Sequence, residues 1–174
     1  MATFFTSDHH FGDHRRLAID QRPFGSVAEQ DREMAARWNA TVSPTDTVWH
    51  LGDLTRHRDP ARVDALLSSL SGVKHLVSGN NDGPATLAWS GWASVAAYAE
   101  IEVDGYALVL CHYAFRTWNG MARGAIDLHG HSHGRLAPIR RQVDVGVDAW
   151  DFRPVTLAEA IERSRMRGRQ RQRG

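Results

Sequence analysis

Cysteine is almost absent from this chain of 174 residues, because Cys111 is the only one. A single thiol cannot close an internal disulfide, and this usage fits a reducing cytoplasm. Long apolar runs are also absent: none approaches the roughly 20 residues that a membrane span needs. The N-terminal residues lack the basic segment and cleavage pattern of a secretory signal. We therefore expect a cytoplasmic globular protein with no membrane partner.

Acidic residues are missing from residues 163–174. The whole chain is nearly neutral, with a formal net charge of +1. The arginines of that stretch are Arg163, Arg165, Arg167, Arg169, Arg171 and Arg173. Without these charges, the net charge of the remaining chain falls to −5. We predict a single domain over residues 1–162 and a basic, disordered tail over residues 163–174. The tail either anchors nucleic acid electrostatically or is a frayed, solvated helix end.

The first half of the sequence alternates strand and helix signals. Strands are predicted where β-branched and aromatic residues end in polar turns, at residues 3–7, 45–51 and 73–78. Ser26 and Glu29 form a capping-box pair that opens a helix, and apolar residues at helical spacing over 63–70 indicate a second helix. Because a parallel crossover needs a connecting helix, this half predicts parallel strands.

The second half has a hairpin signal instead. Strands are predicted at residues 94–103, 106–111, 125–129 and 143–147. The first two are joined at Asp104-Gly105, a dipeptide typical of tight hairpins. Thr156 and Glu159 form a second capping pair that opens a final helix. We expect mostly antiparallel pairing in this half, and an α/β sandwich with more than one sheet for the whole chain.

Side chains able to bind metals follow the predicted strands. They are Asp8 and His10, Asp53, Asn80, His112, and His131 with His133, in five separate loops. Because ligand sites of α/β folds assemble at strand ends, we expect these groups to meet at one rim. Carboxylate, imidazole and carboxamide ligands suit divalent ions such as manganese, iron or zinc, whereas a structural zinc knot needs thiolates.

Each of these motifs is ordinary when taken alone. Asp-x-His and His-x-His occur often by chance, and Gly-Asp and Gly-Asn pairs are common in turns. A lone histidine at a strand end is more often a surface residue or a hydrogen-bonded one. The order and placement of all five loops favour a metal site, because otherwise each loop needs a separate explanation.

The motifs together resemble the calcineurin-like metallophosphoesterase superfamily. They are Asp8-x-His10, Gly52-Asp53, Gly79-Asn80-x-Asp82, His112 and Gly130-His131-x-His133, in that order. The longer stretches over residues 7–12, 46–53 and 129–134 resemble a small bacterial and phage branch of the superfamily. The resemblance covers residues 7–133 and implies a four-layer α-β-β-α sandwich with mixed sheets, in agreement with the strand signals.

The resemblance also implies a binuclear metal centre. The first ion would be held by Asp8, His10 and His133, the second by Asn80, His112 and His131, and both by Asp53 as a bridge. The cofactors would be two divalent ions, with manganese expected first and iron, zinc or nickel as alternatives. A hydroxide bridging the ions would attack phosphorus in line with the leaving group. The implied enzyme is a metal-dependent phosphoric ester hydrolase that favours phosphodiesters over monoesters.

One position departs from the family pattern. Many members carry a histidine, credited with protonating the leaving group, where this chain has Asn81. A carboxamide donates a hydrogen bond but cannot supply a proton near pH 7, so Asn81 is a candidate for orienting the substrate. His9 is a candidate acid, unless it points away from the metals as alternation along an extended segment favours. Arg116 is a candidate phosphate contact or a surface residue.

Two other functions stay open on the sequence alone. A nuclease or RNA-processing phosphoesterase would use the arginine-rich tail as an anchor for nucleic acid. A protein-binding scaffold would keep the fold without catalysis, although all seven expected metal ligands are present. A metallo-β-lactamase type of centre is disfavoured because the sequence has no His-x-His-x-Asp-His run.

Overall fold

The computed structural model describes residues 1–137 and 139–171 and shows two β-sheets with accompanying helices. The strands are β1 Thr3–Thr6, β2 Thr47–His50, β3 Val73–Val77, β4 Trp92–Ala96, β5 Tyr98–Val103, β6 Tyr106–Cys111, β7 Ile126–His129, β8 Gln142–Asp144 and β9 Val155–Thr156. The helices are α1 His14–Ile19, α2 Val27–Thr41, α3 Pro60–Ser69, α4 Pro84–Leu87 and α5 Leu157–Arg171. Within the described part of the chain, no helix has the length and apolar character needed to cross a membrane.

The first sheet has the strand order β4-β3-β2-β1-β9. Strands β1, β2 and β3 pair in parallel, as predicted for the first half of the chain. Strand β4, which comes from the second half, is also parallel to β3, and β9 is antiparallel to β1. Successive side chains of a strand point to opposite faces. Phe4 therefore packs with Trp38 and Leu67 of the helices, whereas Phe5 packs with Leu110 and Leu128 of the second sheet. The first sheet thus has one face against helices and one face against strands.

The second sheet has the strand order β5-β6-β7-β8. Strands β5 and β6 form the predicted antiparallel hairpin, but β6, β7 and β8 pair in parallel. The expectation of mostly antiparallel pairing in this half is therefore wrong. The connections over residues 112–125 and 130–141 are long enough for the crossover of about a dozen residues that parallel neighbours require. Both sheets are mixed, and a helical layer on each outer face stays a prediction.

The strand predicted at residues 94–103 is two strands in the structure. Its first part, β4, pairs with β3, and its second part, β5, pairs with β6, so the chain changes sheet at Ala97. The strand predicted at 143–147 is shorter, because Val147 begins a 3-10 turn. Gly146 lies beside the Ser7 backbone there, and a Cβ on it would meet Asp8 Oδ2 at 2.9 Å. The turn therefore follows from a close approach of two loops, which no local pattern shows.

Both predicted capping pairs are confirmed. Ser26 Oγ accepts a hydrogen bond from the Glu29 backbone, and the Thr156 hydroxyl accepts one from the backbone of Glu159. Helix α5 continues to Arg171, into the segment predicted as a tail. The Arg163 guanidinium lies 4.0 Å from the centre of the Trp150 ring. Residues 172–174 lie outside the described residues, and the division into a domain and a disordered tail stays a prediction.

Candidate metal centre

The predicted metal-binding residues all follow strand ends. Asp8 and His10 lie beyond β1, Asp53 beyond β2, Asn80 beyond β3, His112 beyond β6, and His131 with His133 beyond β7. Parallel pairing of β1, β2 and β3 places three of these loops along one edge of the first sheet, and parallel pairing of β6 and β7 aligns the other two. The side chains of all seven residues meet where the two edges adjoin.

Asp8, His10 and His133 form a group that we call the inner triad. Their ligand atoms lie within 4.8 Å of one another, and all three residues are buried. Asp8 Oδ1 is 3.9 Å from both His10 Nε2 and His133 Nε2. None of these three atoms makes a hydrogen bond with a described residue. Because buried polar atoms are normally paired, three unpaired ones facing each other indicate a place for a cation.

Asp53, His112 and His131 form a second group, the outer triad, in which His131 is exposed. His112 Nδ1 donates a hydrogen bond to the Leu51 carbonyl at 2.7 Å, so in the neutral ring Nε2 carries a lone pair. That Nε2 lies 3.1 Å from Asn80 Oδ1, which is also an acceptor. Two lone pairs at this separation repel each other, and a cation shared between them would remove the repulsion.

The Asp53 carboxylate joins the two triads. Its Oδ2 lies 3.5 Å from His10 Nε2 in the inner triad and 3.6 Å from His112 Nε2 in the outer triad. Ligand atoms about 2.1 Å from one ion are separated by about 3.0–3.4 Å in regular coordination geometries. The observed separations are a few tenths of an ångström wider, so a small contraction around each cation would complete the coordination. The donor set of carboxylate, imidazole and amide fits divalent ions.

The loops that carry these residues have unusual backbones. Asp8, His10, Asp53, His131 and His133 all have positive φ, between 48° and 64°. Left-handed conformations cost residues other than glycine about 1 kcal/mol or more each, and they persist only where surrounding contacts enforce them. Five such residues in one cluster therefore indicate that the loops are shaped for a site, at a cost in stability.

Main-chain contacts fix the strand-end loops against each other. The Asp82 carboxylate accepts hydrogen bonds from the backbone N–H groups of Asp53, Leu54 and Gly79 at 2.8–2.9 Å. Gly52 has φ +91°, and a Cβ on it would lie 2.4 Å from the Gly79 nitrogen. Only glycine allows the β2 and β3 loops to approach so closely. This close approach places Asp53 beside His112 and His131, the other members of the outer triad.

Burial sets the electrostatics of the inner triad. Desolvation raises the pKa of Asp8 to about 8, and it lowers the pKa of His10 to about 2 with a contribution from the Arg16 charge. Burial also lowers the pKa of His131, helped by the charge of His112. The protein alone therefore stabilises a carboxylate at Asp8 poorly, whereas a bound cation would favour the carboxylate and the neutral imidazoles together.

Asn81 lies directly on the shared carboxylate. Its Nδ2 donates to Asp53 Oδ2 at 2.6 Å, and its backbone N–H donates to Asp53 Oδ1 at 2.7 Å. Its Oδ1 accepts a hydrogen bond from Arg56 Nη1 at 3.1 Å. The Arg56 side chain is partly exposed, so its guanidinium combines access to solvent with contact to the site. Sequence reasoning missed Arg56, although the Gly52-Asp53 motif lies just before it.

His9 lies in the core, away from both triads. Its ring stacks on Phe11, contacts Trp38, and places Nδ1 3.0 Å from His50 Nε2. Burial, followed by the charge of His50, lowers the pKa of His9 well below its usual value. The candidate role of His9 as a general acid is therefore corrected: a neutral, fully buried ring has no access to a leaving group. The contacts with Phe11, Trp38 and His50 fix the direction of the ring.

Arg116 is not part of the cluster. Its side chain is exposed and makes no hydrogen bond or ion pair with a described residue. Two acidic residues that sequence reasoning missed lie closer, because Asp148 Oδ2 is 2.7 Å and Asp20 Oδ2 is 3.4 Å from His133 Nδ1. Although burial alone would raise it, hydrogen bonds from His133 and Arg22 hold the pKa of Asp148 at about 2. No motif pointed to either residue.

Comparisons with solved structures support the fold. A protein of unknown function from Aquifex aeolicus superposes with a TM-score of 0.70 at 21% identity, covering 90% of this chain and 96% of that one. An archaeal phosphodiesterase superposes with a TM-score of 0.52 at 19% identity, covering 84% of this chain and 82% of that one. At these identities the likeness shows the fold alone, a mixed α/β fold that this chain shares with both proteins. No family model matches the sequence.

Comparisons with other protein sequences identify relatives of higher identity. The Gene 66 protein of Mycobacterium phage L5 is 32% identical, over 85% of this chain and 87% of the phage protein. The Gene 66 protein of Mycobacterium phage D29 is 33% identical, over 84% of this chain and 88% of that protein. Identity at this level across nearly the whole length of both partners shows common descent. The chain belongs to the family of the Gene 66 proteins of these phages.

Proposed function

We propose that this chain is a metal-dependent phosphoesterase that holds two divalent cations and hydrolyses phosphate esters. The position of Asp53 Oδ2 carries the proposal, because it faces one imidazole of the inner triad at 3.5 Å and one of the outer triad at 3.6 Å. A carboxylate shared in this way lets two cations sit about 3.5–4 Å apart and reduces their repulsion. The fold shared with an archaeal phosphodiesterase supports the same activity.

The residues divide between the two cations. Asp8, His10 and His133 would hold the first ion, Asn80, His112 and His131 would hold the second, and Asp53 would contact both. Two divalent cations there, with manganese as our first choice, would activate water and neutralise charge developing on the phosphoryl oxygens. This is the chemistry required to hydrolyse a phosphate ester in line with its leaving group.

The remaining side chains of the site serve the substrate and the bridge. Asn81 holds the Asp53 carboxylate through two hydrogen bonds. Arg56 is held beside Asn81 and presents a permanent positive charge at the edge of the site, where it binds a phosphoryl oxygen. We therefore assign the phosphate contact to Arg56 rather than to Arg116. Phosphodiesters are the proposed substrates, by analogy with the archaeal phosphodiesterase that has this fold.

A substrate panel tests the proposal. Phosphomonoesters, cyclic nucleotides, aryl and alkyl diesters and short oligonucleotides are assayed with Mn²⁺ and again after chelation. We expect hydrolysis of at least one diester class, complete loss with chelator, and recovery when Mn²⁺ is restored. Rates that are unaffected by chelation would contradict the proposal, as would inactivity on every phosphoester by protein that has taken up Mn²⁺.

Asp53→Asn is the matched control for that panel. Asparagine tolerates the left-handed backbone that Asp53 adopts at φ 58°, so the change removes the charge and not the loop conformation. We expect kcat/KM for the best substrate to fall by about 10³-fold, since the shared carboxylate is worth several kcal/mol to the transition state. Equal activity of variant and wild type would exclude Asp53 as the bridge.

A further inference from the structure

Arg22 is a fully buried cation whose hydrogen-bonding groups are all used. Its Nε and Nη2 donate to the two oxygens of Asp148 at 2.8 and 2.9 Å. Nη2 also donates to the Asp8 carbonyl at 2.7 Å, and Nη1 donates to the His9 carbonyl at 2.7 Å and to Gln30 Oε1 at 3.3 Å. A guanidinium has five N–H groups, and each has a partner here. Arg22 is therefore held rigidly beneath the inner triad.

The carbonyls that Arg22 binds belong to the loop that carries two members of the inner triad, Asp8 and His10. Asp8 and His10 in this loop have left-handed backbones, with φ of 61° and 52°. A backbone so displaced from β geometry leaves carbonyl groups without strand partners, and buried carbonyls need donors. Arg22 supplies those donors to two successive residues, and its contacts thereby help to enforce a conformation that is costly by itself.

The same arginine reaches the third member of the inner triad through Asp148. Asp148 Oδ2 accepts a hydrogen bond from His133 Nδ1 at 2.7 Å. This bond fixes the imidazole so that Nε2 faces Asp8 Oδ1, 3.9 Å away. A carboxylate behind a ligating histidine sets the tautomer and the ring direction of that ligand. Both Asp148 oxygens are already bonded to Arg22, so Asp148 is a support for His133 and not a ligand.

The two histidines of the outer triad have no carboxylate of this kind behind their rings among the described residues. His112 is oriented by the main-chain carbonyl of Leu51 at 2.7 Å. His131 is exposed, and its ring contacts the rings of His112 and Tyr113. Substitution at Arg22 or Asp148 would therefore disturb one half of the centre and leave the other half in place.

We propose that Arg22 and Asp148 are a positioning pair that sets the metal affinity of the inner triad independently of the outer triad. The inference rests on the proposed metal site and adds two residues that neither touch substrate nor coordinate an ion. The pair works through geometry, because it holds the Asp8 carboxylate and the His133 imidazole in the directions that a cation requires.

Metal titration of the full-length protein tests the pair. Mn²⁺ binding is measured by calorimetry for the wild type, Asp148→Asn and Arg22→Lys, and Co²⁺ absorption spectra report the ligand geometry of each ion. For Asp148→Asn we expect the Kd of one Mn²⁺ ion to rise by about 10–100-fold, the usual cost of losing such a support, while the other Kd is unchanged. Arg22→Lys keeps the positive charge but loses the paired N–H groups that bind both oxygens of Asp148, and it should raise the Kd of the same ion.

Asp151→Asn is the matched control. Asp151 also pairs with an arginine, Arg37, at 2.7 Å, but on the surface and away from the triads, so both ions should bind as in the wild type. If Asp148→Asn does not fold, Asp20→Asn provides a second variant, because its carboxylate faces the same His133 nitrogen at 3.4 Å. A milder weakening of the same ion is expected there.

The outcomes separate this inference from the proposed function. Wild-type affinities in Asp148→Asn and Arg22→Lys would overturn the positioning pair while leaving the phosphoesterase in place. An equal loss of both ions in a folded variant would also overturn it, because the effect would not be confined to the inner triad. A wild-type protein that takes up no Mn²⁺ would refute the metal site itself.

Discussion

The two triads of the centre are built in different ways. The inner triad is buried, and it is oriented by the side chains of Arg22 and Asp148, which are 126 positions apart in the sequence. The outer triad is open to solvent at His131, and the main-chain carbonyl of Leu51 orients its His112 ring. A histidine that a side chain supports is sensitive to remote substitution, whereas one that a carbonyl supports is sensitive to the backbone. Different kinds of substitution should therefore disrupt the metal binding of the two triads.

The difference extends to electrostatics. The carboxylate of the inner triad, Asp8, is desolvated strongly enough to raise its pKa to about 8. Charge interactions are strongest where water is excluded, so a cation stabilises this carboxylate more than it would an exposed one. The exposed His131 offers the second ion a weaker, more hydrated environment. We expect the inner triad to hold its ion more tightly than the outer triad.

Among the substitutions that distinguish the two triads, the largest effect should come from removing one imidazole from each triad in turn. His10→Asn and His131→Asn both place asparagine at positions that have left-handed backbones, where it is tolerated. We expect each variant to lose about 10²–10³-fold in kcat/KM, because both ions stabilise the transition state. Metal analysis distinguishes them: His10→Asn should lose the tighter ion and His131→Asn the weaker one. Loss of the same ion from both variants would show that the two triads do not hold separate ions.

Gly52→Ala should damage the outer triad through the backbone. A Cβ at Gly52 would meet the Gly79 nitrogen at 2.4 Å and His112 Nδ1 at 2.8 Å. We expect the loops to separate and kcat/KM to fall by about 10²-fold, since misplacing catalytic groups by about 1 Å costs that much. Inner-triad metal affinity should change less than outer-triad affinity.

Gly105→Ala is the control for that substitution. Gly105 also has a positive φ, +77°, but a Cβ there would meet nothing within 4 Å. It carries the conformational penalty of about 1 kcal/mol without the clash, so its thermal stability should drop while its activity stays at the wild-type level. Equal loss of activity in Gly52→Ala and Gly105→Ala would show that strain alone, and not the close approach, explains the effect.

The sequence predicted the members of the centre because strand ends of parallel sheets share an edge. A polar residue after each strand is visible locally, and the parallel pairing of β1, β2 and β3 brings those residues together. Arg22 and Asp148 could not be found in this way, since 126 positions separate them and nothing local marks either one. The sheet change at Ala97 was hidden for a similar reason, because both of its strands continue one alternating pattern.

Asn81→His should produce a smaller change that depends on the leaving group. Asn81 cannot protonate a leaving group, and it contacts Asp53 in the outer triad. General acid catalysis is worth about 10²–10⁴-fold, so the wild type should hydrolyse aryl diesters much faster than alkyl diesters. We expect Asn81→His to raise kcat for alkyl diesters by at least about tenfold and to leave aryl diesters nearly unchanged. Similar wild-type rates for both ester types would refute this explanation.

Acid should produce the smallest effect, a loss of stability where the loop after β1 meets the loop after β2. His50 joins them, because its Nε2 lies 3.0 Å from His9 Nδ1 and its Nδ1 accepts from the Gly52 backbone at 3.2 Å. Burial, helped by the charge of His112, lowers the pKa of His50 from 6.5 to about 3. Below pH 6.5 the His50 side chain therefore binds a proton in the unfolded chain but not in the folded protein, and the contribution of His50 to stability falls until about pH 3.

The expected loss from His50 is about 1.4 kcal/mol per pH unit in that window, measured by urea unfolding of the metal-free protein. His50→Gln should flatten the acid slope, whereas His14→Gln, at an exposed position, should keep the slope of the wild type. An unchanged slope in His50→Gln would exclude His50 as its source.

Anomalous scattering from crystals of the protein grown with Mn²⁺ would locate the two ions directly. We expect two peaks about 3.5–4 Å apart, one beside the inner triad and one beside the outer triad, with the Asp53 carboxylate between them. A single peak, or two peaks that do not share Asp53, would contradict this prediction.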